Sequence, residues 1–286
     1  MTTTRLAWAT SRAARGRDDD EGPALAALAR AGVAVEVVDW DDPGADWAAF
    51  DRVVPRSTWD YADRLPEFLA WLGRVDASTE LVNPLPALRW SLDKRYLGEL
   101  ETAGVPITPT RFVPPGSAPD FPPGRFVVKP AVGAGSRGTS TYGPDLHAAA
   151  AEHVAALHRA GQVVLVQPLV ASVAIDGEWP LVFLGGRYSH AAGKRVAVPE
   201  AGLVDDLFAD EQTTGHEATP EQVAVARAAL AVVTERFGTL PYARVDLVRA
   251  DDGTSLVLEV ELVEPSLFLA RADPGAADRL AAALTG

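Results

Sequence analysis

Of the 26 basic residues in this 286-residue sequence only three are lysine: Lys94, Lys129 and Lys194. Arginine serves the surface elsewhere, so a retained lysine calls for a reason. Its compact ammonium can sit over a phosphate without the planar fork of a guanidinium. Lys129 ends the apolar run Phe126-Val127-Val128 and precedes Gly133-Ala134-Gly135-Ser136-Arg137-Gly138. That hexapeptide matches GxGxxG, but a dinucleotide fingerprint must open directly into a helix. Here Thr139-Ser140-Thr141-Tyr142 leads into the breaker Gly143-Pro144, which predicts a returning strand. A P-loop also fails, because no Lys-Ser/Thr follows the last glycine. What remains is a glycine-rich hairpin whose amides, around Gly135 and Ser136, can close over phosphates while Lys129 supplies charge.

A second cluster of chemistry lies near the C-terminus. Residues 243–249 and 255–262 alternate in polarity around Asp251-Asp252-Gly253-Thr254. Asp-Gly is a strong signal for a two-residue hairpin turn. With Asp252-Gly253 in the turn, Asp246 faces Glu259 and Arg244 faces Glu261, all four on one side of the ladder. Val245, Leu247, Leu256, Leu258 and Val260 then form a core face. Carboxylates directly opposed in a ladder repel, and a divalent ion removes the conflict. Oxygen-only donors suit a hard ion such as Mg²⁺. The competing reading is a solvated polar face neutralised by Arg244. In the other hairpin, a turn at Gly185-Gly186 sets Glu178 opposite Gly193, so strict alternation puts Glu178 and Lys194 on opposite faces at one end of the pair.

The elements that must position these groups fall into three units. Strands at 5–10, 33–40 and 51–55 alternate with helices near 25–32 and 68–72, predicting a parallel α/β unit. The 33–40 strand is nearly continuously apolar, as in a sheet covered on both faces. A helix is predicted over 91–103, stopped by Gly104. Strands at 125–129 and 163–167, with the glycine segment 133–143, flank a helix near 145–160. Two hairpins follow, separated by a helix from Pro220 to Phe237, and a helix over 275–284 closes the chain. The expected units span 1–88, 89–172 and 173–286.

Composition narrows the function. A formal charge of −13 argues against sequence-independent binding to nucleic acid or anionic membranes. Cysteine is absent and the five histidines lack paired spacing, which disfavours thiol chemistry and a His-rich metal site. There is no apolar run of the roughly 20 residues that span a bilayer, nor a signal-peptide core. The expectation is a soluble cytoplasmic protein, with homo-oligomerisation left open.

Together these elements resemble the ATP-grasp superfamily, over about residues 90–270 and in the family's order. Asp93-Lys94, followed by Leu100 and Gly104-Val105-Pro106, is similar to the first nucleotide-lysine segment, and Val127-Val128-Lys129-Pro130 to the second. Val166-Gln167-Pro168-Leu169-Val170 resembles the hinge that holds adenine, and Glu178 the acid that binds ribose hydroxyls. Lys194 falls where a further lysine reaches the terminal phosphate. Arg244-Val245-Asp246 and Glu259-Val260-Glu261 resemble the Arg-x-Asp and Glu-x-Asn pairs. All three lysines thus land on phosphate-binding positions. Two departures stand out: Glu261 replaces the usual Asn, and Gln167-Pro168 replaces a common hinge acid.

The resemblance implies an ATP-grasp fold in which two α+β subdomains clasp ATP after an N-terminal α/β unit. It also implies ATP and Mg²⁺ as cofactors, with Asp246, Glu259 and Glu261 on the metal and Arg244 and Lys194 as catalytic residues. Residues 56–61 (RSTWDY) and 261–268 (ELVEPSLF) resemble a small branch of short ligases that includes a cyclo-ligase converting O-ureido-D-serine to D-cycloserine. An intermolecular carboxylate–amine ligase, of the peptide-forming or glutathione-synthetase-like kind, is the alternative. Arg56, Tyr61, Arg195, Glu264 and Ser266 suit a small amino-acid-like substrate, and His190 is a candidate for proton transfer near a ureido group. A nucleotide sensor on the same scaffold and an NAD-dependent dehydrogenase are the rival classes.

Overall fold

The computed structural model describes residues 3–196, 198–201 and 211–286. Strands β1 (Arg5–Thr10), β2 (Ala34–Asp39), β3 (Arg52–Ser57) and β4 (Glu80–Leu81) form a parallel sheet in the order β2-β1-β3-β4. Period-2 alternation splits β1 between two cores. Leu6 and Trp8 pack with Ala24, Ala27 and Leu28 of α1 (Glu21–Arg30). Ala7 and Ala9 pack with Phe68, Trp71, Leu72 and Val75 of α2 (Leu65–Asp76). The apolar run at 33–40 does not become a central strand. As β2 it is an edge, and Ala34 and Glu36 are exposed. The third strand, expected over 51–55, runs on through Arg56 and Ser57 as β3.

The predicted helix over 91–103 divides into α3 (Leu85–Leu92) and α4 (Tyr96–Thr102). Asp93 is extended (φ −111°, ψ 106°), and the Lys94 amide donates to the Ala131 carbonyl at 2.9 Å instead of continuing the helix. Helical propensity cannot foresee that long-range bond. The break is what turns Lys94 toward the second unit.

The central sheet is antiparallel, in the order β5-β8-β6-β7: β5 (Arg111–Val113), β6 (Phe126–Pro130), β7 (Ser140–Tyr142) and β8 (Val164–Pro168). Helix α5 (His147–Arg159) covers it with Ala150 and Val154. The glycine segment joins β6 to β7 as a hairpin with no helix opening on it, which removes the dehydrogenase reading.

After the short α6 (Ser172–Asp176), β9 (Trp179–Leu184), β10 (Arg187–Val196), β11 (Glu211–His216), β12 (Tyr242–Arg249) and β13 (Ser255–Glu261) form an antiparallel sheet in the order β11-β10-β9-β12-β13. Helix α7 (Pro220–Phe237) covers one face with Ala226, Ala229 and Val233. Its start is a capping box: Gln222 N–H donates to Thr219 Oγ1 (3.2 Å), and Thr219 N–H to Gln222 Oε1 (2.9 Å). Helix α8 (Ala276–Thr285) sets Leu280, Ala281 and Leu284 on the other face, in one core with α1 and β1. That junction is also polar: Asn83 Nδ2 donates to the carbonyls of Tyr242 (3.0 Å) and Leu262 (2.7 Å), and the Tyr242 hydroxyl to those of Val263 (2.7 Å) and Pro55 (3.2 Å).

Two bulges set the registers that matter. Between β9 and β10, Tyr188 pairs with Phe183 but His190 pairs with Val182, leaving Ser189 unpaired. Ser189 Oγ instead accepts from Arg279 Nε at 2.9 Å. One extra residue reverses every later side chain, so Glu178 pairs directly with Lys194 rather than lying on the opposite face. Between β12 and β13 the expected two-residue turn is a three-residue loop, in which Ala250 N–H bonds the Thr254 carbonyl (2.8 Å) and Gly253 has φ 91°. Leu258 is the extra residue that restores the predicted pairs Asp246–Glu259 and Arg244–Glu261. Val257 consequently joins the core, whereas Leu258 lines a cavity.

Candidate active site

A cavity of about 1040 Å³ opens where the three sheets meet. Lys94 from the helix break, Lys129 from the end of β6 and Lys194 from β10 all line it, with Gly135 and Ser136 of the glycine loop. Gln167, Val170 and Glu178 line it as well, as do Arg244, Glu259, Glu261, Tyr61, Arg195, Glu264 and Ser266. Of the residues singled out from sequence, Arg56, Asp246 and His190 are not on its wall.

The charges are tightly matched. Lys94 Nζ lies 2.8 Å from Glu259 Oε1 and donates to the Gly133 carbonyl at 2.9 Å. Lys194 Nζ lies 2.8 Å from Glu178 Oε2 and 3.4 Å from Asp246 Oδ2. Arg244 holds Asp246 with a two-pronged fork (Nε–Oδ1 2.7 Å, Nη2–Oδ2 2.9 Å), pairs with Glu261 and donates from Nη1 to the Ser266 carbonyl at 3.0 Å. Burial would raise Asp246, but Arg244 and Lys194 hold it below the usual carboxylate range. Burial likewise opposes ionisation of Glu259, which Lys94 and Lys129 offset. Glu261 differs. Burial pushes it up to about 8, and Glu259 and Asp246 add to the push against Arg244.

Among the described residues no three acidic or histidine side chains stand as a ready-made metal cage, because each carboxylate is engaged by a cation of the chain itself. The donor chemistry nevertheless fits a hard divalent ion: Asp246 and Glu259 stand at paired positions of two strands, with Glu261 two residues on, pushed up to about 8 by burial and by its like-charged neighbours.

Lys129 is the exception among the lysines. It makes no ion pair within 4 Å among the described residues, in contrast to Lys94 and Lys194. Burial lowers its pKa, and Lys94 and Lys194 contribute against the pull of Glu259 and Glu178. A cation set this way lacks an anion.

Arg56 is buried behind the wall between the rings of Trp8 and Tyr242 (5.4 and 5.3 Å) and donates to the Pro265 carbonyl at 2.6 Å. It braces the 264–269 segment rather than facing the cavity. His190 shares the sheet face of Lys194 but lies four residues earlier on β10, where the segment around Leu267 covers it: its Nε2 is 2.6 Å from the Leu267 carbonyl. Gln167 donates to Thr110 Oγ1 at 2.8 Å.

Sequence reasoning passed over several residues that shape the cavity. Asp20 accepts from the amides of Leu267 (2.5 Å) and Leu269 (2.7 Å), a bond across the chain with no local signal. Phe268, left-handed at φ 52°, lies 5.5 Å beneath the Arg244 guanidinium. Val248 supplies part of an apolar wall together with Leu258, which alternation assigns to the core face.

Gly177 holds the Glu178–Lys194 pair in register. Its φ is 78°, and a Cβ there would meet the Lys194 carbonyl oxygen at 2.4 Å and Arg195 Cγ at 2.7 Å. Gly177→Ala is therefore expected to displace Glu178 from Lys194, lowering stability by about 1–3 kcal/mol and weakening nucleotide binding. Thermal unfolding and calorimetric titration with a non-hydrolysable ATP analogue measure the two effects.

The chain has close relatives. The family described as D-cycloserine synthetase DcsG, N-terminal domain, matches residues 6–83. Cycloserine biosynthesis protein DcsG of Streptomyces lavendulae is 42% identical over 284 residues, covering 95% of each chain. A crystal structure of D-cycloserine synthetase DcsG is 40% identical and superposes with a TM-score of 0.88 over 98% of each chain. A D-alanine–D-alanine ligase from Bacillus anthracis, complexed with ATP, shares the fold at 14% identity with a TM-score of 0.65, over 99% of this chain and 96% of that one. With a curated relative at that identity across nearly the whole of both chains, the protein belongs to the DcsG family of ATP-grasp ligases, the D-cycloserine synthetases.

Proposed function

We propose that this chain uses ATP and Mg²⁺ to convert the carboxylate of O-ureido-D-serine into an acyl-phosphate and closes that molecule to D-cycloserine. Lys129 is the observation that carries the nucleotide half: a cleft-facing cation without an ion-pair partner among the described residues, beside two other lysines, calls for a polyanion such as a triphosphate. The similarity to D-cycloserine synthetase along the whole chain supports the substrate half.

In this reading residues 1–88 carry part of the substrate wall, and 89–172 and 173–286 clasp ATP. Gln167 and Val170 face adenine and Glu178 the ribose. Lys94, Lys129, Lys194 and the loop around Gly135 and Ser136 take the phosphates. Magnesium would be held by Glu259 and Glu261 at the wall, with Asp246 behind them, and would supply positive charge to the phosphates. Arg244 stabilises the charge that develops as the carboxylate attacks the terminal phosphate. The nitrogen attached to the side-chain oxygen then attacks the acyl carbon within the same molecule, and phosphate departs. Positioning supplies much of the rate, since no second substrate has to be bound. Water finally takes the carbamoyl group to CO₂ and ammonia. Tyr61, Arg195, Glu264 and Ser266 line the substrate end, with Arg56 behind them.

The test is to incubate protein and ATP–Mg²⁺ with O-ureido-D-serine alone and follow ADP and ring product by mass spectrometry. Turnover only when a separate amine is added would replace this reading with an intermolecular ligase. Binding of ATP with no carboxylate-dependent turnover would replace it with a sensor.

The glycine loop is the expected lid. Lys94 holds the Gly133 carbonyl, Arg137 pairs with Asp63 of the N-terminal unit, and Gly135, Ser136 and Gly138 are left-handed (φ 60°, 60° and 64°). Few side chains keep such a segment rigid without ligand. Amide hydrogen exchange across 133–143 is expected to slow when a non-hydrolysable ATP analogue binds, and unchanged exchange would remove the lid role.

A further inference from the structure

Ring closure requires the attacking nitrogen to lose a proton, and we propose that Glu264 is the base that takes it, with the Tyr61 hydroxyl as its partner. The assignment rests on the functional reading above. It follows from the partners of the carboxylates around the cavity. Glu178 is paired with Lys194, Glu259 with Lys94, and Asp246 and Glu261 with Arg244. Glu264 lines the cavity, is 7% exposed and has no ion-pair partner within 4 Å among the described residues; Tyr61, which lines the same cavity, is the neutral hydroxyl acting on it. A carboxylate engaged by a cation is a poor proton acceptor, whereas one that meets a neutral hydroxyl keeps a lone pair for the substrate.

Location supports the same choice. Glu264 shares the cavity wall with Lys94, Arg244 and Glu259, the groups assigned to the phosphates, the activated carboxylate and the metal. Asp18 also lines the cavity, its Oδ1 held by the Asp20 amide at 3.0 Å and its Oδ2 without a hydrogen-bond partner among the described residues, but it sits in the N-terminal unit just before α1, beside Asp20, which lies 3.8 Å from Arg56.

The backbone carrying Glu264 is pinned from several directions. Trp59 Nε1 donates to the Glu264 carbonyl at 3.1 Å, Arg56 to the Pro265 carbonyl at 2.6 Å, and Asp20 accepts from Leu267 and Leu269. This bracing assigns a use to the buried Arg56, and a base held rigidly next to the reacting atoms is what catalysis by proton transfer needs.

In the step itself, the nitrogen lone pair forms the C–N bond, and the bond from the acyl carbon to the phosphate oxygen breaks, its electron pair leaving with phosphate. The N–H proton passes to the Glu264 carboxylate. Hydroxylamine tests this directly, because it is a strong external nucleophile that captures an acyl-phosphate as a hydroxamate without help from a base positioned for the ring nitrogen.

With O-ureido-D-serine, ATP–Mg²⁺ and hydroxylamine present, the ratio of ring product to hydroxamate is expected to fall about 100-fold in Glu264→Gln, within the 10²–10⁴ range of general-base contributions. Glu264→Asp should recover part of the ratio. Tyr61→Phe, tested in the same assay, should shift it in the same direction by a smaller factor. A ratio unchanged in Glu264→Gln, whether both products fall together or neither does, would overturn the assignment. The same holds for Tyr61→Phe should Glu264→Gln not fold. Absence of both products in the wild-type protein would overturn the functional reading and this assignment with it.

Discussion

Replacing Arg244 by lysine is expected to lower kcat by about 10²–10³-fold, the usual consequence of removing one donor aimed at developing transition-state charge. The guanidinium does two jobs that an ammonium cannot combine. Its fork holds both oxygens of Asp246 at 2.7 and 2.9 Å, and a third nitrogen reaches the Ser266 carbonyl at 3.0 Å. A lysine offers a single point charge on a flexible stem. Arg244→Ala should go further and leave Asp246, which is 1% exposed, with Lys194 at 3.4 Å as its remaining cation. Breaking a buried pair this way costs about 3–5 kcal/mol. At roughly 2–4 °C per kcal/mol, the melting temperature should drop by about 10 °C. Steady-state kinetics and calorimetry separate the two effects. A lysine variant that keeps more than a tenth of wild-type kcat would remove Arg244 from the stabilisation of the acyl-phosphate.

Lys129→Met should have opposite effects on stability and on function. The ligand-free protein carries Lys129 without an ion-pair partner among the described residues, its pKa lowered by burial and by two neighbouring lysines. Methionine keeps the stem and removes that charge, so the unliganded variant is expected to melt at the same temperature as the wild type or slightly above it. Nucleotide binding should suffer heavily. Deleting one member of a desolvated charge pair costs about 2–5 kcal/mol, so affinity for a non-hydrolysable ATP analogue should fall roughly 30- to 4000-fold. Thermal shift and titration calorimetry on the same sample read both signs. A loss of stability without ligand, or unaltered affinity, would make Lys129 a structural residue.

Much of this site could be read from the chain because its signals are local. The scarcity of lysine, the hydroxyl-rich segment after the glycines and the Asp-Gly turn need only composition and short-range geometry, and they located Lys94, Lys129, Lys194 and the loop at 133–138. Alternation around residue 252 also led to the pairs Asp246–Glu259 and Arg244–Glu261, although by a route the structure corrects. The turn is one residue longer than expected, and the bulge at Leu258 takes up the difference. For Glu178 and Lys194 no such cancellation occurred, and the bulge at Ser189 brought together two residues that strict alternation separates.

Sequence alone thus determined the succession of α/β and α+β elements, the three rare lysines that line the cavity and the carboxylate strands, since each depends on residue type and on periods of a few residues. Tertiary structure decided which of these groups face the cavity and which are paired. A bulge or a helix break is selected by partners far away in sequence: Arg279 for Ser189, and Ala131 for Lys94. The same holds for Arg56, drawn behind the wall by Pro265, and for the 264–269 segment, fastened by Asp20 from the other end of the chain. Such bonds form because a backbone group buried away from water must find a partner, and only the packed fold determines which one is within reach.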